Sequence, residues 1–182
     1  CGGPPCQGFS GIGHRRTFDL HKSEIPSNSL YKQMTRLISK IRPKVFLFEN
    51  VKGLLSGRWT KNGDKGEIFR DVLNEFRSID GYSCDWNLVR AKDYGVPQNR
   101  PRILLIGYRD DVWQPPEVDE VDTVANGMYS HGYAIKRGML PSGGESPPGI
   151  RELISDLDDP RYREKKETTS YPWRAKNSTQ EA

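Results

Sequence analysis

The sequence has little of what marks membrane, secreted or metal-dependent proteins. Its longest uninterrupted apolar run, Val45–Phe48, is far shorter than the roughly 20 residues of a membrane-spanning helix. The chain begins with Cys1, and no charged stretch followed by an apolar stretch indicates a signal peptide. Its three cysteines cannot all pair, and they lack both CxxC spacing and a histidine cluster, which disfavours a disulfide framework and a zinc site. We therefore expect a cytoplasmic protein with no membrane contact and no metal.

What the chain does have is positive charge at one end. The 182 residues are enough for one domain with a core, and the mean hydropathy is −0.77. The net charge is +4, yet residues 1–60 carry ten Lys or Arg against three Asp or Glu, whereas residues 111–182 carry nine against thirteen. A basic first third is typical of proteins that bind nucleic acid. A basic surface that is merely solvated is the alternative.

The hydrophobic pattern predicts helix, strand, helix, strand and strand in that order. The first helix follows possible caps at Ser27 and Asn28 and ends before Pro43. Val45–Phe48 predicts a strand buried on both faces of a parallel sheet. The apolar positions of the two helices recur at helical spacing: Leu30, Met34, Leu37, Ile38 and Ile41 in the first, and Ile68, Val72, Leu73, Phe76 and Ile79 in the second.

The last two strands complete the predicted sheet. From Tyr82 to Leu88 apolar residues alternate with Ser83, Asp85 and Asn87, which is the period of a half-buried strand. Ile103–Tyr108 is a second apolar strand. This order of elements is the second half of a doubly wound α/β sheet. Beyond it the sequence is rich in Pro, Gly and acidic residues, and only Ile150–Leu157 has a short helical stripe, so we expect an irregular C-terminal extension.

Three groups of residues could carry chemistry. Cys6 follows two prolines in a Gly-rich loop that could aim its sulfur outward, although free cysteines are commonly inert core residues. Glu49 ends a strand, where open α/β sheets bind ligands, but a strand-end Glu is also a frequent ion-pair residue. Arg100 and Arg102 would share one face of an extended segment and could hold a carbonyl or a phosphate, or simply be solvated.

Taken together, these residues form three ordered motifs. Pro5-Cys6-Gln7, Glu49-Asn50-Val51 and Gln98-x-Arg100-x-Arg102 strongly resemble the Pro-Cys-Gln, Glu-Asn-Val and Gln-x-Arg-x-Arg motifs of the DNA (cytosine-5) methyltransferases. The resemblance covers residues 1 to about 110 closely. It implies the second half of a Rossmann-like sheet that uses S-adenosylmethionine as methyl donor, acting on double-stranded DNA, as in restriction-modification.

The resemblance also implies roles for the residues. The Cys6 thiolate would add to C6 of a flipped-out cytosine, Glu49 would bond N3 and the exocyclic amine, and Arg102, with Arg100, would hold O2. Pro4 and Pro5 would touch the methyl donor at its margin. Contacts to DNA or to the gap left by the base would come from Gln7, Ser10, Arg15, Arg16, Asn50 and Gln98.

The family's glycine-rich cofactor loop should precede Cys1, and its target-recognition domain should follow Ala182. We therefore expect residues 1–110 to be a partial catalytic domain and residues 111–182 an extension toward that recognition domain. These residues alone should neither bind the donor tightly nor methylate DNA, and Val45–Phe48 should have an unpaired edge open to a complementing chain. A tRNA cytosine-5 methyltransferase and a silent DNA-binding or assembly subunit are the alternatives.

Overall fold

The computed structural model describes residues 1–5, 26–117, 124–125, 128–129 and 132–155. Contacts within the chain separate two compact units. The first consists of Cys1–Val89 and Pro101–Ser142, and the second of Arg90–Arg100 and Gly143–Ala182. The boundary expected near residue 110 stays a prediction.

The first unit is built on a three-stranded sheet. Its strands β1 (Val45–Val51), β2 (Tyr82–Arg90) and β3 (Pro101–Arg109) lie in the order β1-β3-β2. β1 and β3 are antiparallel, so the parallel sheet expected around β1 is wrong for this pair. The strand pattern itself is confirmed, because all three predicted strands form.

The other edge of β1 is also paired. Gly2 forms a parallel bridge with Phe48: its N–H donates to the Leu47 carbonyl at 2.8 Å, and its carbonyl accepts from the Glu49 N–H at 3.0 Å. The expectation of an unpaired edge is therefore wrong at this point. A short extended segment suffices for the bridge, since it needs only the two backbone groups of one residue.

Burial alternates along β1 instead of being continuous. Phe46 and Phe48 are buried in the main core, whereas Leu47 and Glu49 are half-buried and Val45 is exposed. The reason is that helices cover the face with Phe46 and Phe48, whereas the segment 134–140 covers the face with Leu47 only in part. The expected strand buried on both faces is thus wrong in detail.

Two helices cover that core face. The second, α2 (Glu67–Arg77), confirms the predicted pattern, with Ile68, Phe69, Val72, Leu73 and Phe76 buried. The first, α1 (Leu30–Ile41), follows a 3₁₀ turn at Pro26–Ser29, and its N-cap is Ser29, whose side chain does not cap the helix. The caps expected at Ser27 and Asn28 are therefore wrong.

The buried face of α1 also differs from the one predicted. The helix buries Tyr31, Thr35 and Ile38, while Leu37 and Ile41 are 55% and 70% exposed. The Thr35 hydroxyl lies 2.9 Å from the Lys32 carbonyl of the same helix and 3.1 Å from Glu75 of α2. Thr35 is therefore buried with acceptors in reach, at a position that an apolar pattern does not predict.

A second, smaller core lies on the sheet with Ile106 at its centre. Ala134, Met139 and Leu140 pack against Ile106, and the Tyr108 hydroxyl donates to the Met139 carbonyl at 3.2 Å. A segment within the expected irregular extension therefore forms part of the first unit.

Asp85 is the clearest departure on β2. The alternating pattern predicts that Asp85 faces solvent, but the residue is only 2% exposed. The segment that forms the second core also covers this strand. Its carboxylate lies 3.2 Å from Arg137 and 3.6 Å from Arg77, and it accepts the Trp86 N–H at 2.8 Å. The half-buried strand is thus buried on both sides here.

The remaining elements are short. A hairpin joins β4 (Val124–Ala125) and β5 (Met128–Tyr129). In the second unit, α3 (Ile150–Leu153) confirms the start of the predicted stripe but ends early, with Ile150 75% exposed. None of the helices in the described ranges is long and apolar enough to cross a membrane.

Candidate active site

Two residues predicted to act on the base meet at the ends of neighbouring strands. Arg102 Nε lies 2.6 Å from Glu49 Oε1. In the register of β1 and β3, Glu49 pairs with Leu104 and Val51 with Arg102. Glu49 and Arg102 are therefore diagonal neighbours on one face of the sheet, within reach of long side chains.

The pair is anchored yet accessible. The Glu49 side chain is 44% exposed and that of Arg102 is 19% exposed. Arg102 Nη1 also donates to the Pro101 carbonyl at 2.9 Å, which leaves guanidinium donors for another acceptor. A carboxylate and a guanidinium in contact with solvent can engage the edge of a planar, polar ligand.

Asn50 connects this strand to the segment that leads to Cys6. Its side chain is 4% exposed; Nδ2 donates to the Pro4 carbonyl at 3.3 Å, and Oδ1 accepts the Val51 N–H at 2.9 Å. These contacts hold Pro4 beside the strand that carries Glu49. The expected DNA contact of Asn50 stays a prediction, whereas this positioning contact was missed by the sequence analysis.

Gly2 and Gly3 let the first segment of the chain lie close to α1 and to Glu49. A Cβ on Gly2 would lie 2.8 Å from Met34 Sδ, and one on Gly3 would lie 3.3 Å from Glu49 Oε2. From the sequence, these two glycines predict only a loop. Close packing against a helix and against Glu49 is a second reason for them, and only the fold shows it.

Several of the predicted site residues lie outside the described residues, and their roles stay predictions. They include the predicted nucleophile, Cys6, and its neighbours in the loop: Gln7, Ser10, Arg15 and Arg16.

The segment from Gln98 to Arg102 differs from expectation. The Gln98 N–H bonds to the Val96 carbonyl at 2.7 Å, and the Arg100 N–H bonds to the Gln98 carbonyl at 3.1 Å. Hydrogen bonds between residues two apart form tight turns. The prediction that this segment is extended, with a two-residue period, is therefore wrong before Pro101. Gln98 and Arg100 are exposed and belong to the second unit.

Pro4 and Pro5, with Phe48, Asn50 and core residues, enclose a cavity of about 10 Å³, which is the space of a single water. Pro5 is exposed, and the contact of Pro4 and Pro5 with the methyl donor stays a prediction. In the described part of the chain, no group of three or more His, Cys, Asp or Glu residues could hold a metal ion.

Two thiols in the described residues differ in environment. Cys1 is exposed and Cys84 is buried. Burial raises the pKa of the Cys84 thiol to about 12, and its Sγ lies 3.2 Å from the Phe76 carbonyl, to which it donates. Cys84 is therefore an unreactive core residue.

Comparison with known protein families identifies the family of this chain. The model of the C-5 cytosine-specific DNA methylase family matches residues 1–181. The chain belongs to this family. The resemblance drawn from the three motifs is thereby confirmed, and Glu49 and Arg102 of this methylase chain are the motif residues that the structure brings together.

Its curated relatives include methyltransferases of bacteria and of Bacillus phages. The chain is 38% identical over 120 residues to the Type II methyltransferase M.BspRI of Lysinibacillus sphaericus, covering 64% of the chain and 25% of the relative. It is 40% identical over 136 residues to M1.ScrFI of Lactococcus lactis subsp. cremoris, covering 71% and 32%. M.DdeI of Desulfomicrobium norvegicum is 33% identical over 180 residues, covering 99% and 37%. The chain thus spans between a quarter and about two fifths of these relatives.

Proposed function

We propose that this methylase chain carries the base-activating part of a DNA cytosine-5 methyltransferase. The observation that supports it is the contact between Glu49 and Arg102, since two of the three motifs meet there at accessible strand ends. The small antiparallel sheet would form one side of a larger Rossmann-like sheet. The substrate would be a cytosine flipped out of duplex DNA, because C5 and C6 cannot be reached inside the stack.

Glu49 and Arg102 would act on the polar edge of the base. Cytosine presents N3, the exocyclic amine and O2 along one edge, and a carboxyl group beside a guanidinium matches these groups. Glu49, holding a proton, would donate to N3 and accept from the amine, while Arg102 would donate to O2. Negative charge that develops on the ring is then stabilised by donors already in place.

The covalent step is assigned to Cys6. Its thiolate would form a bond from sulfur to C6 while the π pair of C5–C6 shifts to C4–C5 and the π pair of C4–N3 takes the proton from Glu49 at N3. After C5 uses the C4–C5 pair to bond the methyl group, the C4–N3 double bond forms again. A base would then remove the C5 proton, the C5–C6 double bond would form as the thiolate leaves, and the N3 proton would return to Glu49, which gives 5-methylcytosine. S-adenosylmethionine supplies the methyl group when it is bound.

The setting of the reaction follows from the same family. Type II names among the relatives support a role in restriction-modification, on double-stranded DNA in the cytoplasm. In this proposal the methyl donor would touch Pro4 and Pro5 only at its margin, and other residues would bind most of it. A complementing chain is one source of such residues.

Covalent trapping tests the proposal. The natural full-length protein is incubated with S-adenosylmethionine and a duplex containing 5-fluorocytosine at its target site. Fluorine at C5 cannot leave as a proton, so the enzyme should stay attached to the duplex and migrate as a stable adduct in denaturing gels. A matched tRNA is the comparison substrate; adducts with tRNA alone, or with neither substrate, would contradict the proposal.

A further inference from the structure

The loop Gly57–Gly66, called the Trp59 loop below, begins close to the candidate site. It follows β1 through the 3₁₀ segment Lys52–Ser56 and ends where α2 begins. The Gly66 N–H donates to the Gly57 carbonyl at 3.1 Å, which closes the base of the loop. The loop therefore leaves the sheet at the same end of β1 that carries Glu49.

Side chains from α2 hold this loop in one conformation. The Glu67 carboxylate accepts the backbone N–H groups of Trp59 and, at 3.0 Å, of Asp64. The Trp59 indole donates to Asp71 Oδ2 at 2.6 Å. At Gly63 a Cβ would overlap the Glu67 carboxylate, so a side chain there would force Glu67 to shift from these contacts.

The loop itself carries net positive charge. It has three basic residues, Arg58, Lys61 and Lys65, against one acidic residue, Asp64, and all three basic side chains are exposed. Glu67 and Asp71 stay negative beside it, and both accept hydrogen bonds from the loop. Asp64 lies 3.8 Å from Arg70, whose positive charge offsets it in part.

A cationic loop that leaves the sheet at the end of β1 carrying Glu49 suits a polyanion. We propose that the Trp59 loop binds phosphates of the duplex DNA that flanks the flipped cytosine, chiefly through Arg58 and Lys65. This inference rests on the proposed function. Phosphate contacts of this kind fix the register of a protein on DNA without reading its sequence. Because the loop is already ordered, little conformational entropy is lost when it binds.

The salt dependence of DNA binding tests the proposal. We compare the full-length protein with the double variant Arg58→Gln/Lys65→Gln and with Lys40→Gln/Lys44→Gln as the matched control. The control removes the same charge from exposed residues at the opposite end of β1. Binding to a duplex without a target site is followed by fluorescence anisotropy between 50 and 200 mM NaCl.

Each phosphate contact contributes about 0.9 to the slope of log K against log[salt]. The loop variant should lower the magnitude of that slope by about 1.8 and weaken binding at 0.1 M salt by roughly tenfold or more. The control should leave the slope within about 0.5 of the original. An unchanged slope in the loop variant, or equal losses in both variants, would overturn the proposal.

Two further measurements separate this inference from the proposed function. If the original protein is trapped on 5-fluorocytosine DNA but the loop variant has an unchanged slope, only the loop assignment is wrong. If the original protein neither binds nor is trapped, the function itself is wrong. A loss seen with duplex RNA and not with duplex DNA also contradicts the loop proposal.

Discussion

Glu49 and Arg102, from two antiparallel strands, share a 2.6 Å contact although they are far apart in the sequence. The contact depends on register, because a shift of one residue would turn either side chain to the opposite face. The same register buries Ile103 and Asn50 behind the pair. Strand pairing therefore couples the core to the geometry of the candidate site.

Replacing Glu49 tests its role in activating the base. Glu49→Gln keeps the size of the side chain but removes the proton that would be donated to N3. We expect the single-turnover methylation rate to fall by roughly 10²-fold or more, with DNA affinity changed by less than about threefold, because the phosphate contacts remain. Glu152→Gln, in the second unit, is the matched control. A variant of Glu49 with unchanged rate would remove it from the mechanism.

Replacing Cys6 tests the covalent step. Cys6→Ser removes the nucleophile and little volume, so turnover and trapping on 5-fluorocytosine should be lost while DNA binding is retained. Cys84→Ser is the matched control, since it makes the same change at a buried thiol and should still be trapped. Equal activity of the Cys6 variant would refute the covalent mechanism.

The environment of Cys84 predicts a dependence on pH. Burial raises its pKa from 9.0 to about 12, so the folded protein keeps this thiol neutral where an unfolded chain ionises it. The contribution of the neutral Cys84 thiol to the free energy of unfolding is fully present below pH 9. It should be lost as the pH rises from about 9 toward 12. At pH 9 a thiol reagent should label exposed Cys1 rapidly and Cys84 only after unfolding in guanidinium. Labelling of Cys84 in the folded protein at the rate of Cys1 would contradict its burial.

Removing the Asn50 side chain should affect both stability and rate. Asn50→Ala leaves the Pro4 carbonyl and the Val51 N–H without their side-chain partner, at a cost of about 1 to 3 kcal/mol in the free energy of unfolding. Because this contact holds the segment that leads to Cys6, trapping should also slow at saturating DNA. Asn74→Ala, at an exposed position of α2, should do neither. Urea unfolding measures the stability, and the time course of adduct formation measures the trapping rate. An Asn50 variant that loses stability but is trapped at an unchanged rate would show that the contact is only structural.

The sequence predicts those elements in which one periodic pattern dominates. α2 has five apolar positions on one face and forms as expected, and β3 follows its apolar run. On α1 the apolar stripe misleads, because Leu37 and Ile41 are exposed while Thr35, whose hydroxyl lies 3.1 Å from Glu75, is buried. Such a contact joins distant residues and leaves no periodic signal in either of them.

The candidate site was predictable for a different reason. Glu49 and Arg102 were found through the types and order of motif residues, and the fold then brings them into contact. The structural role of Asn50 could not be predicted, because it depends on a backbone carbonyl that any residue at position 4 would offer. The turn before Pro101 was missed because its backbone bonds replace the alternation that the side chains suggest.

Asp85 provides a final prediction, which concerns the stability of the first unit. Its buried carboxylate faces Arg137 and Arg77 and accepts the Trp86 N–H. Asp85→Asn removes the negative charge and leaves Arg137, whose side chain is 20% exposed, beside a neutral amide. Since Arg137 can turn partly to solvent, we expect a loss of about 2 kcal/mol in the free energy of unfolding, below the range for fully buried pairs. Asp80→Asn, at an exposed position, should change it by less than about 0.5 kcal/mol. Urea unfolding checks both, and equal stability of the two variants would show that the carboxylate does not hold the segment with Arg137 on β2.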